Sequence, residues 1–292
     1  MQSIVFTLCR LVCSMAASRA AVLALALACL QGTSGVRSEK RECGRQGTAV
    51  ASNETGIQIV NGQAAEQCVW NWQVGFRYGS IGMPFCGGTI VAPRWVLTAA
   101  HCSSRAGFDV VAGEWRPRER SGNEQNRRSV TWRPHPRYNR RTFSHDFAMV
   151  MVDRSFDYNN CVGAACLPSR GSRGDVAVGA SCWITGWGTL RAGGSQPNVL
   201  QEAEVTVRAN NDCGSYGSSQ IDNSMLCAQG ERNGLIVDAC QGDSGGPLVC
   251  QSNGVWTLHG ATSWGRGCAA ANYPGIWARV NFVVDWVNAI MT

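Results

Sequence analysis

The chain has 292 residues, of which 45% are hydrophobic and 16% are charged. This length and composition allow one large or two ordinary domains with a substantial core, and they exclude a disordered chain or a coiled coil. Fifteen cysteines and 34 glycines favour a loop-rich fold made in an oxidising compartment, so a cytosolic enzyme is not expected. The net charge of +6 does not identify a partner, and we expect no nucleic-acid ligand.

The first segment, residues 1–35, is predicted to be a secretory signal peptide. Two arginines accompany an apolar run from Ala20 to Leu30, and the small residues Thr33 and Gly35 follow at positions that suit signal peptidase. The run of 11 residues is shorter than the roughly 20 that a membrane span needs. Cleavage and secretion are therefore favoured over the alternative, an uncleaved signal anchor. Cleavage would leave 12 cysteines, an even number that suits complete pairing.

Residues 36–58 are predicted to be a pro-segment. This stretch is polar, has no apolar periodicity, and contains the dibasic pair Lys40-Arg41. The sequence Asn53-Glu54-Thr55 is an acceptor for N-linked glycosylation, so we expect a glycan on Asn53.

From Ile59 onward, short apolar or alternating stretches recur between turn residues and predict the strands of an all-β barrel or sandwich. These stretches are 72–78, 95–99, 147–152, 205–208, 247–250 and 256–262. Near the C-terminus, Phe282, Trp286 and Ile290, with Val283 and Val287 beside them, repeat with the spacing of one helical face. The chain is therefore predicted to end on an amphipathic helix.

Three separate segments carry residue types that acyl transfer requires: 98–102 with His101, Asp146 ahead of an apolar run, and 242–247 with Ser244. A serine hydroxyl is a weak nucleophile, so it needs an imidazole to take its proton and a buried carboxylate to hold the imidazole tautomer. We expect His101 as base, Asp146 as orienter and Ser244 as nucleophile. The backbone N–H groups of Gly242 and Ser244 are expected to form an oxyanion hole.

In the order His, Asp, Ser, these motifs resemble the chymotrypsin and trypsin family of serine proteases. Further similar landmarks follow in the family's order at 59–62, 70–74, 86–88, 183–188 and 263–265. The resemblance covers residues 59–292 and implies two packed six-stranded antiparallel β-barrels with a C-terminal helix. His101 and Asp146 would come from the first barrel and Ser244 from the second.

The resemblance also implies how the cysteines pair. The family's common disulfides would be Cys86–Cys102, Cys182–Cys250, Cys213–Cys227 and Cys240–Cys268. Cys43 and Cys166 resemble the chymotrypsinogen bridge that keeps the pro-segment attached after cleavage. Cys68 and Cys161 remain and are expected to pair, with two free thiols as the alternative, because spacing alone does not fix connectivity.

The resemblance assigns a primary specificity pocket with a carboxylate at its base. The residues expected to contact substrate are Asp238, Ser263, Gly265 and Gly275. Asp238 favours a cation, so we expect cleavage after Arg or Lys. Arg is preferred because Ala239 offers no hydroxyl to a lysine ammonium, whereas a guanidinium engages a carboxylate with two donors. Trp277 stands where the family usually has Tyr, which leaves the depth of the pocket open.

An arginine-rich stretch spans residues 116–141, with nine arginines against Glu119 and Glu124, a local excess of +7. The arginines are Arg116, Arg118, Arg120, Arg127, Arg128, Arg133, Arg137, Arg140 and Arg141. By the resemblance, part of this stretch is a surface loop where some family members bind acidic partners or polyanions such as heparin. The competing interpretation is a solvated basic face. An enzyme that cuts after Arg would also risk self-cleavage here.

Two further features follow from the resemblance. Glu114 and Glu124 stand where the family's calcium loop supplies two carboxylates, although the arginines nearby oppose a dication.

Activation would free the α-amine of Ile59 to pair with Asp243. The residue before that bond is Gln58 rather than the usual Arg or Lys, so we expect activation by another protease. Cleavage at Arg41 or Arg45 would only trim the chain. The alternative is an intact chain that is already active.

The sequence therefore predicts a secreted serine endopeptidase, made as a zymogen, that cleaves proteins or peptides after Arg or Lys. We expect a monomer that needs no cofactor and that protein inhibitors can block. The alternative is a catalytically weak homologue that acts as a binding module. A zinc hydrolase is disfavoured because the chain has only four histidines and Cys102 is expected in a disulfide.

Overall fold

The computed structural model describes residues 42–50, 62–79, 81–171, 174–217 and 219–292, which belong to one compact unit, Arg41–Thr292. The expected signal peptide, the glycosylation acceptor Asn53, and the activation residues Gln58 and Ile59 lie outside the described residues. No helix within the described ranges is long and apolar enough to cross a membrane.

Six strands of the first half close into a barrel. After β1 (Gln63–Ala64), which joins the second half, these strands are β2 (Gln73–Arg77), β3 (Cys86–Ala92), β4 (Trp95–Thr98), β5 (Asp109–Ala112), β6 (Gln125–Pro134) and β7 (Ala148–Val152). They are antiparallel and ordered β2-β3-β4-β7-β6-β5. Alternate side chains such as Val74, Phe76 and Val110 point inward and fill a common core, because successive residues of a strand face opposite sides.

Seven strands form the second half, together with β1. They are β8 (Ser181–Gly186), β9 (Gln201–Arg208), β10 (Met225–Arg232), β11 (Leu235–Val237), β12 (Pro247–Ser252), β13 (Val255–Trp264) and β14 (Gly275–Arg279). The sheet runs β1-β9-β8-β12-β13-β14-β10-β11, and a β9–β10 pairing closes six of these strands into a barrel. The expected all-β fold of two six-stranded antiparallel barrels is confirmed.

Two Asn-Gly pairs set tight hairpins in the second barrel. Asn233-Gly234 connects β10 to β11, and Asn253-Gly254 connects β12 to β13. In both pairs each residue has a positive φ, between 51° and 75°. That conformation matches the two-residue turn that twists with antiparallel strands, and asparagine followed by glycine adopts it most readily.

The chain ends on helix α1 (Val284–Met291), which continues a short 3₁₀ turn over Val280–Val283. The amphipathic helix expected from the sequence is present, but its most buried positions are Val283, Val284 and Val287. Phe282, by contrast, is 46% exposed. The helix therefore packs through the valines beside the stripe, as well as through Trp286 and Ile290, which are partly buried against the same core.

A shared apolar core joins the two barrels and holds the cleft between them. It contains Leu97 and Phe147 from the first barrel and Leu258 and Ala278 from the second, with the fully buried Trp72 among them. Burial on this scale stabilises the relative position of the barrels, at about 25 cal/mol for each Å² of apolar surface removed from water. The residues at the facing strand ends are thereby held in a fixed arrangement.

Within the described residues, six disulfides join the pairs expected from the family resemblance and from the two cysteines it left over: Cys43–Cys166, Cys68–Cys161, Cys86–Cys102, Cys182–Cys250, Cys213–Cys227 and Cys240–Cys268. Residues 42–50 of the expected pro-segment lie on the barrels. Gly44 donates to Ala164 O at 2.7 Å and accepts from Trp256 N at 3.0 Å, and Thr48 exchanges two hydrogen bonds with the Asn160 side chain. The first disulfide and these bonds anchor this segment.

Candidate active site

His101 lies in a 3₁₀ turn, Ala100–Cys102, directly after β4. Its Nδ1 is 2.7 Å from Asp146 Oδ2, and its backbone N–H donates to Asp146 Oδ1 at 2.9 Å. The imidazole is 21% exposed, whereas the Asp146 side chain is fully buried. One carboxylate therefore holds both the ring and the backbone of His101, and the Nδ1 proton is fixed on the buried side.

Asp146 has a third partner that the sequence did not indicate. Ser263 Oγ donates to Asp146 Oδ2 at 2.5 Å, across the cleft from β13 of the second barrel. Ser263 was expected to contact the substrate backbone, and the structure adds this contact with Asp146. The Asp146 carboxylate is therefore held by hydrogen bonds from both barrels.

Ser244 lies between β11 and β12, and its carbonyl accepts from Gly87 N of β3 at 2.8 Å. This bond ties the backbone of Ser244 to the first barrel, close to the Cys86–Cys102 disulfide beside His101. Among the described residues, no hydrogen bond of the site joins Ser244 Oγ to the imidazole, although such contacts often tighten only when substrate binds.

The next residue, Gly245, must be glycine. Its φ is +75°, and a Cβ there would lie 2.6 Å from Gly87 O and would also collide with the Thr98 hydroxyl. Because the turn that presents Ser244 is packed directly on β3 and β4, a side chain after Ser244 would separate the barrels. The Gly-Asp-Ser-Gly-Gly motif is thus explained by close backbone approach.

Gly242, the expected oxyanion donor, has a φ of +103°. A Cβ on Gly242 would lie 2.7 Å from Nε2 of Gln196, an amide that also donates to Pro84 O at 3.1 Å. Gln196 thus lies against residues 242–244, here called the oxyanion segment because it carries the expected oxyanion donors. No sequence motif had indicated a role for Gln196. The adjacent Gln241 lines the cavity beside Ser244, and its Oε1 accepts from Thr189 Oγ1 at 3.0 Å.

Asp243 is buried beneath Ser244. Its Oδ1 accepts from Gly188 N at 2.7 Å and its Oδ2 accepts from Cys240 N at 2.9 Å. Burial raises the pKa of Asp243 to about 6, although these two backbone N–H groups lower it. No Lys, Arg or His of the described residues forms an ion pair with it. Its expected partner, Ile59, lies outside those residues.

A cavity of about 140 Å³ opens beside Ser244. Its lining includes every residue expected to contact substrate, namely Asp238, Ser263, Gly265 and Gly275. Asp238 is 2% exposed and accepts from Ala239 N at 2.8 Å and Ala269 N at 3.2 Å. Burial raises the pKa of Asp238 to about 7, against the lowering effect of these two hydrogen bonds. The cavity therefore offers a cation a buried carboxyl group.

Trp277 lies at the same cavity and is fully buried. A Cβ on Gly275 would be 2.6 Å from the far edge of the Trp277 ring and 2.5 Å from Asp238 Oδ1. Glycine at 275 is therefore required by space. By contrast, the nearest atom to a Cβ on Gly265 is 3.9 Å away, so this part of the wall is open.

Phe143 is another neighbour of His101 that the motifs did not indicate. The two rings meet edge to face with centroids 5.6 Å apart, and Phe143 has a φ of +57°. Its backbone N–H donates to Asn139 O at 2.8 Å, which closes the loop that holds it. The exposed arginines Arg140 and Arg141 lie in this loop.

The arginine-rich stretch spans two loops, one after β5 and one after β6, and the strand between them. Arg127 is buried with Asp157 at 3.0 Å, and Arg128 lies 3.4 Å from Asp109, so part of the excess charge is neutralised. Arg118 and Arg120 are exposed in the loop after β5, and Arg137, Arg140 and Arg141 are exposed in the loop after β6. Counting charges within the stretch missed this neutralisation because Asp109 and Asp157 lie outside it.

Glu114 and Glu124, which stand where the family's calcium loop supplies its carboxylates, already accept hydrogen bonds from donors of the protein. Glu114 Oε2 accepts from Arg77 at 2.9 Å and its Oε1 accepts from Trp115 N at 3.1 Å. Glu124 accepts from Ser121 N, Ser121 Oγ and Gly122 N at 2.6, 2.7 and 2.9 Å. These carboxylates do not present a free set of oxygen ligands, so this arrangement does not fit a calcium site.

The family model for trypsin matches residues 59–287. The match covers both barrels and all the residues of the candidate site, from Arg77 to Trp277. It agrees with the two-barrel fold and with the resemblance inferred from the sequence motifs. The chain belongs to the trypsin family of serine proteases.

Proposed function

We propose that the protein is a secreted serine endopeptidase that cleaves peptide bonds after arginine, and less readily after lysine. The observation that carries this proposal is the placement of Asp238 at a cavity that also includes Ser244. A cationic side chain bound at Asp238 would bring the following carbonyl to the nucleophile. The pairing of His101 with the buried Asp146 supports the chemistry.

In the proposed reaction, Ser244 Oγ attacks the substrate carbonyl and gives its proton to His101 Nε2. Asp146 stabilises the imidazolium through the Nδ1–H hydrogen bond. The N–H groups of Gly242 and Ser244 bind the oxyanion, an effect for which removal of one donor typically costs about 2.7–4 kcal/mol. The C–N bond breaks as Nε2 protonates the leaving amine. Water, deprotonated by His101, then hydrolyses the acyl-enzyme.

Guanidinium specificity is favoured over ammonium for two reasons. The Asp238 carboxylate can accept two parallel bonds from a planar fork, and Ala239 beside it carries no hydroxyl that would help to hold a lysine. Ser263 and Gly265, at the end of β13, are proposed to pair with the substrate backbone as an added strand. The fully buried Trp277 also lines this cavity.

Secretion as a zymogen follows from the predicted signal peptide and pro-segment. Six disulfides are typical of an oxidising compartment, and a glycan on Asn53 is proposed on the same basis. The Cys43–Cys166 bridge would retain the pro-segment after cleavage before Ile59. Protein inhibitors, and a polyanion at the 116–141 stretch, are proposed partners of a monomeric enzyme.

Two measurements test this function. An acyl-forming phosphonate should label Ser244 stoichiometrically after activation, and no label should appear in Ser244→Ala. A peptide library should then give cleavage after Arg, with Lys second. Absence of labelling in the activated protein would favour the binding-module alternative, and a profile dominated by Phe, Leu or Ala before the cut would reject the specificity.

A further inference from the structure

The loop between β5 and β6, residues 113–124, is held by the buried guanidinium group of Arg77. Arg77, the last residue of β2, and Glu114 form an ion pair at 2.9 Å with side chains only 6% and 1% exposed. Buried charges persist when they are paired and hydrogen-bonded, because an isolated charge loses its hydration at high cost. The buried ion pair with Glu114 therefore fixes the position of Arg77 beneath the loop.

One nitrogen of Arg77 is surrounded by oxygen atoms from three segments. Its NH1 group donates to Glu114 Oε2 at 2.9 Å and makes longer contacts of 3.4 Å with Gly82 O and Pro117 O. A carboxylate together with backbone carbonyls is also the ligand type that a hard divalent cation selects in proteins. Here a guanidinium nitrogen occupies the centre of that oxygen set.

The rest of the loop is closed by hydrogen bonds within the protein. The Glu124 side chain accepts three hydrogen bonds from Ser121 and Gly122, so it caps its own turn. Burial raises the pKa of Glu124, but these hydrogen bonds lower it by more, so the net effect is a lowered pKa. Gly113, with a φ of +70°, packs directly on the Asn123 carbonyl, which brings the two ends of the loop together.

The clamped loop is connected to the oxyanion segment. Trp115, next to Glu114, accepts through its carbonyl from Leu200 N at 2.9 Å and from Trp187 Nε1 at 3.3 Å. Trp187 directly precedes Gly188, whose N–H binds Asp243. The position of Trp115 thus bears on residues beneath Ser244.

We propose that Arg77 is a positioning residue that takes the place of a metal ion, so that the 113–124 loop holds its conformation without calcium. The family's calcium loop is retained in its two glutamates, but the positive charge comes from β2. This inference concerns the loop and stands independently of the proposed cleavage specificity.

The test uses the full-length zymogen with Ser244→Ala, which prevents self-digestion. Its melting temperature should be the same in EDTA and in about 10 mM calcium chloride, a concentration above the 10⁻⁴–10⁻³ M range of extracellular calcium sites. Adding Arg77→Met should lower the melting temperature by roughly 10 °C, because Glu114 loses its buried partner. Arg77→Lys, which keeps the charge, should lose less.

Arg128→Met is the matched control, because it removes an arginine from a more exposed pair with Asp109, and it should shift the melting temperature by about 2 °C or less. Limited proteolysis after Arg118 and Arg120 should be faster in Arg77→Met than in this control. If Arg77→Met does not fold, the melting temperatures of Arg77→Lys and of the parent with and without calcium still test the proposal. A melting temperature of the parent that rises with calcium but not magnesium would overturn the proposal, as would equal effects of Arg77→Met and Arg128→Met.

Discussion

Ser263 Oγ donates a 2.5 Å hydrogen bond to Asp146 Oδ2, the same oxygen that lies 2.7 Å from His101 Nδ1. The two donors come from different barrels, so the carboxylate that orients the imidazole is itself fixed across the cleft. Removal of either donor leaves Asp146 buried with fewer partners.

Ser263→Ala should therefore lower kcat by about tenfold while phosphonate labelling of Ser244 remains stoichiometric. The reason is that hydrogen bonds to charged groups contribute roughly 1.5–3 kcal/mol, and part of this is recovered because His101 still holds the carboxylate. Steady-state kinetics with a small arginine substrate would measure the effect. Ser252→Ala, an exposed serine at the end of β12, is the control. An unchanged kcat in Ser263→Ala would show that the bond does not position Asp146.

The pH dependence of specificity should follow Asp238, whose pKa burial raises to about 7. Only the ionised carboxylate attracts a cation, so the ratio of kcat/KM for an arginine substrate to that for a methionine substrate should rise with pH. Below about pH 7 the rise should approach tenfold per pH unit, and above it the ratio should level off. Taking the ratio cancels any pH dependence that is common to both substrates.

Asp238→Asn is the matched variant for this experiment. It keeps the shape of the side chain but removes the titration, so the ratio should become low and independent of pH. A wild-type ratio that is flat between about pH 5 and pH 8 would mean that Asp238 is already ionised throughout the range and that its burial is compensated by the solvent in the cavity.

Gly275→Ala should abolish most activity on arginine substrates. The added methyl group would lie 2.5 Å from Asp238 Oδ1 and 2.6 Å from the Trp277 ring, and neither neighbour can move freely because both are buried. Gly217→Ala, where the nearest atom is 3.7 Å away, controls for the loss of a glycine. Measuring kcat/KM together with the melting temperature separates a blocked cavity from a lost fold. Wild-type kcat/KM in Gly275→Ala would contradict the described cavity.

Local patterns in the sequence predicted the elements that depend on short-range chemistry. The alternating stretches marked β2, β4, β7, β9, β12 and β13, and the motifs identified the residues that the barrels bring together. The other strands had no such stretch, and in β6 the reason is that Arg127 occupies an inward position, which interrupts the apolar alternation. That arginine is stable there because Asp157, 30 positions along the chain, pairs with it.

Contacts between distant residues could not be inferred from local patterns. Arg77 reaches Glu114 because β2 pairs with β5, with Arg77 opposite Asp109, and Ser263 reaches Asp146 because the two barrels meet. Neither relationship has a local sequence signature, since each depends on the register of strands far apart in the chain. The same dependence explains why counting charges overstated the positive excess at 116–141.

Heparin binding should depend on the loop after β5. Arg118→Ala with Arg120→Ala should weaken binding by severalfold and reduce its salt dependence, because each contributes a solvent-exposed charge. Arg140→Ala with Arg141→Ala, in the loop after β6 that holds Phe143, provides a matched pair. Elution from a heparin column at several salt concentrations measures both. If the wild-type protein is not retained at low ionic strength, the basic surface is only a solvated face.

Activation should require a protease other than the enzyme itself. The bond before Ile59 follows Gln58, and a neutral amide in the cavity would leave the buried Asp238 without a cationic partner, which penalises binding strongly. The purified zymogen should therefore stay intact on incubation, whereas Gln58→Arg should activate itself and yield a new N-terminus at Ile59. N-terminal sequencing of the products, resolved on reducing and non-reducing gels, distinguishes this cut from trimming at Arg41 or Arg45.

Asp243→Asn supplies the second half of the test, since Asp243 is the expected partner of the new amine and accepts from Gly188 N and Cys240 N. In the Gln58→Arg background, this variant should still be cut before Ile59 by an added arginine-specific protease but should gain little activity, because the amide cannot attract the α-ammonium. A wild-type zymogen that generates Ile59 unaided would refute the external activator. High activity of the uncleaved chain, unaffected by Asp243→Asn, would instead show that the oxyanion segment orders without the amine.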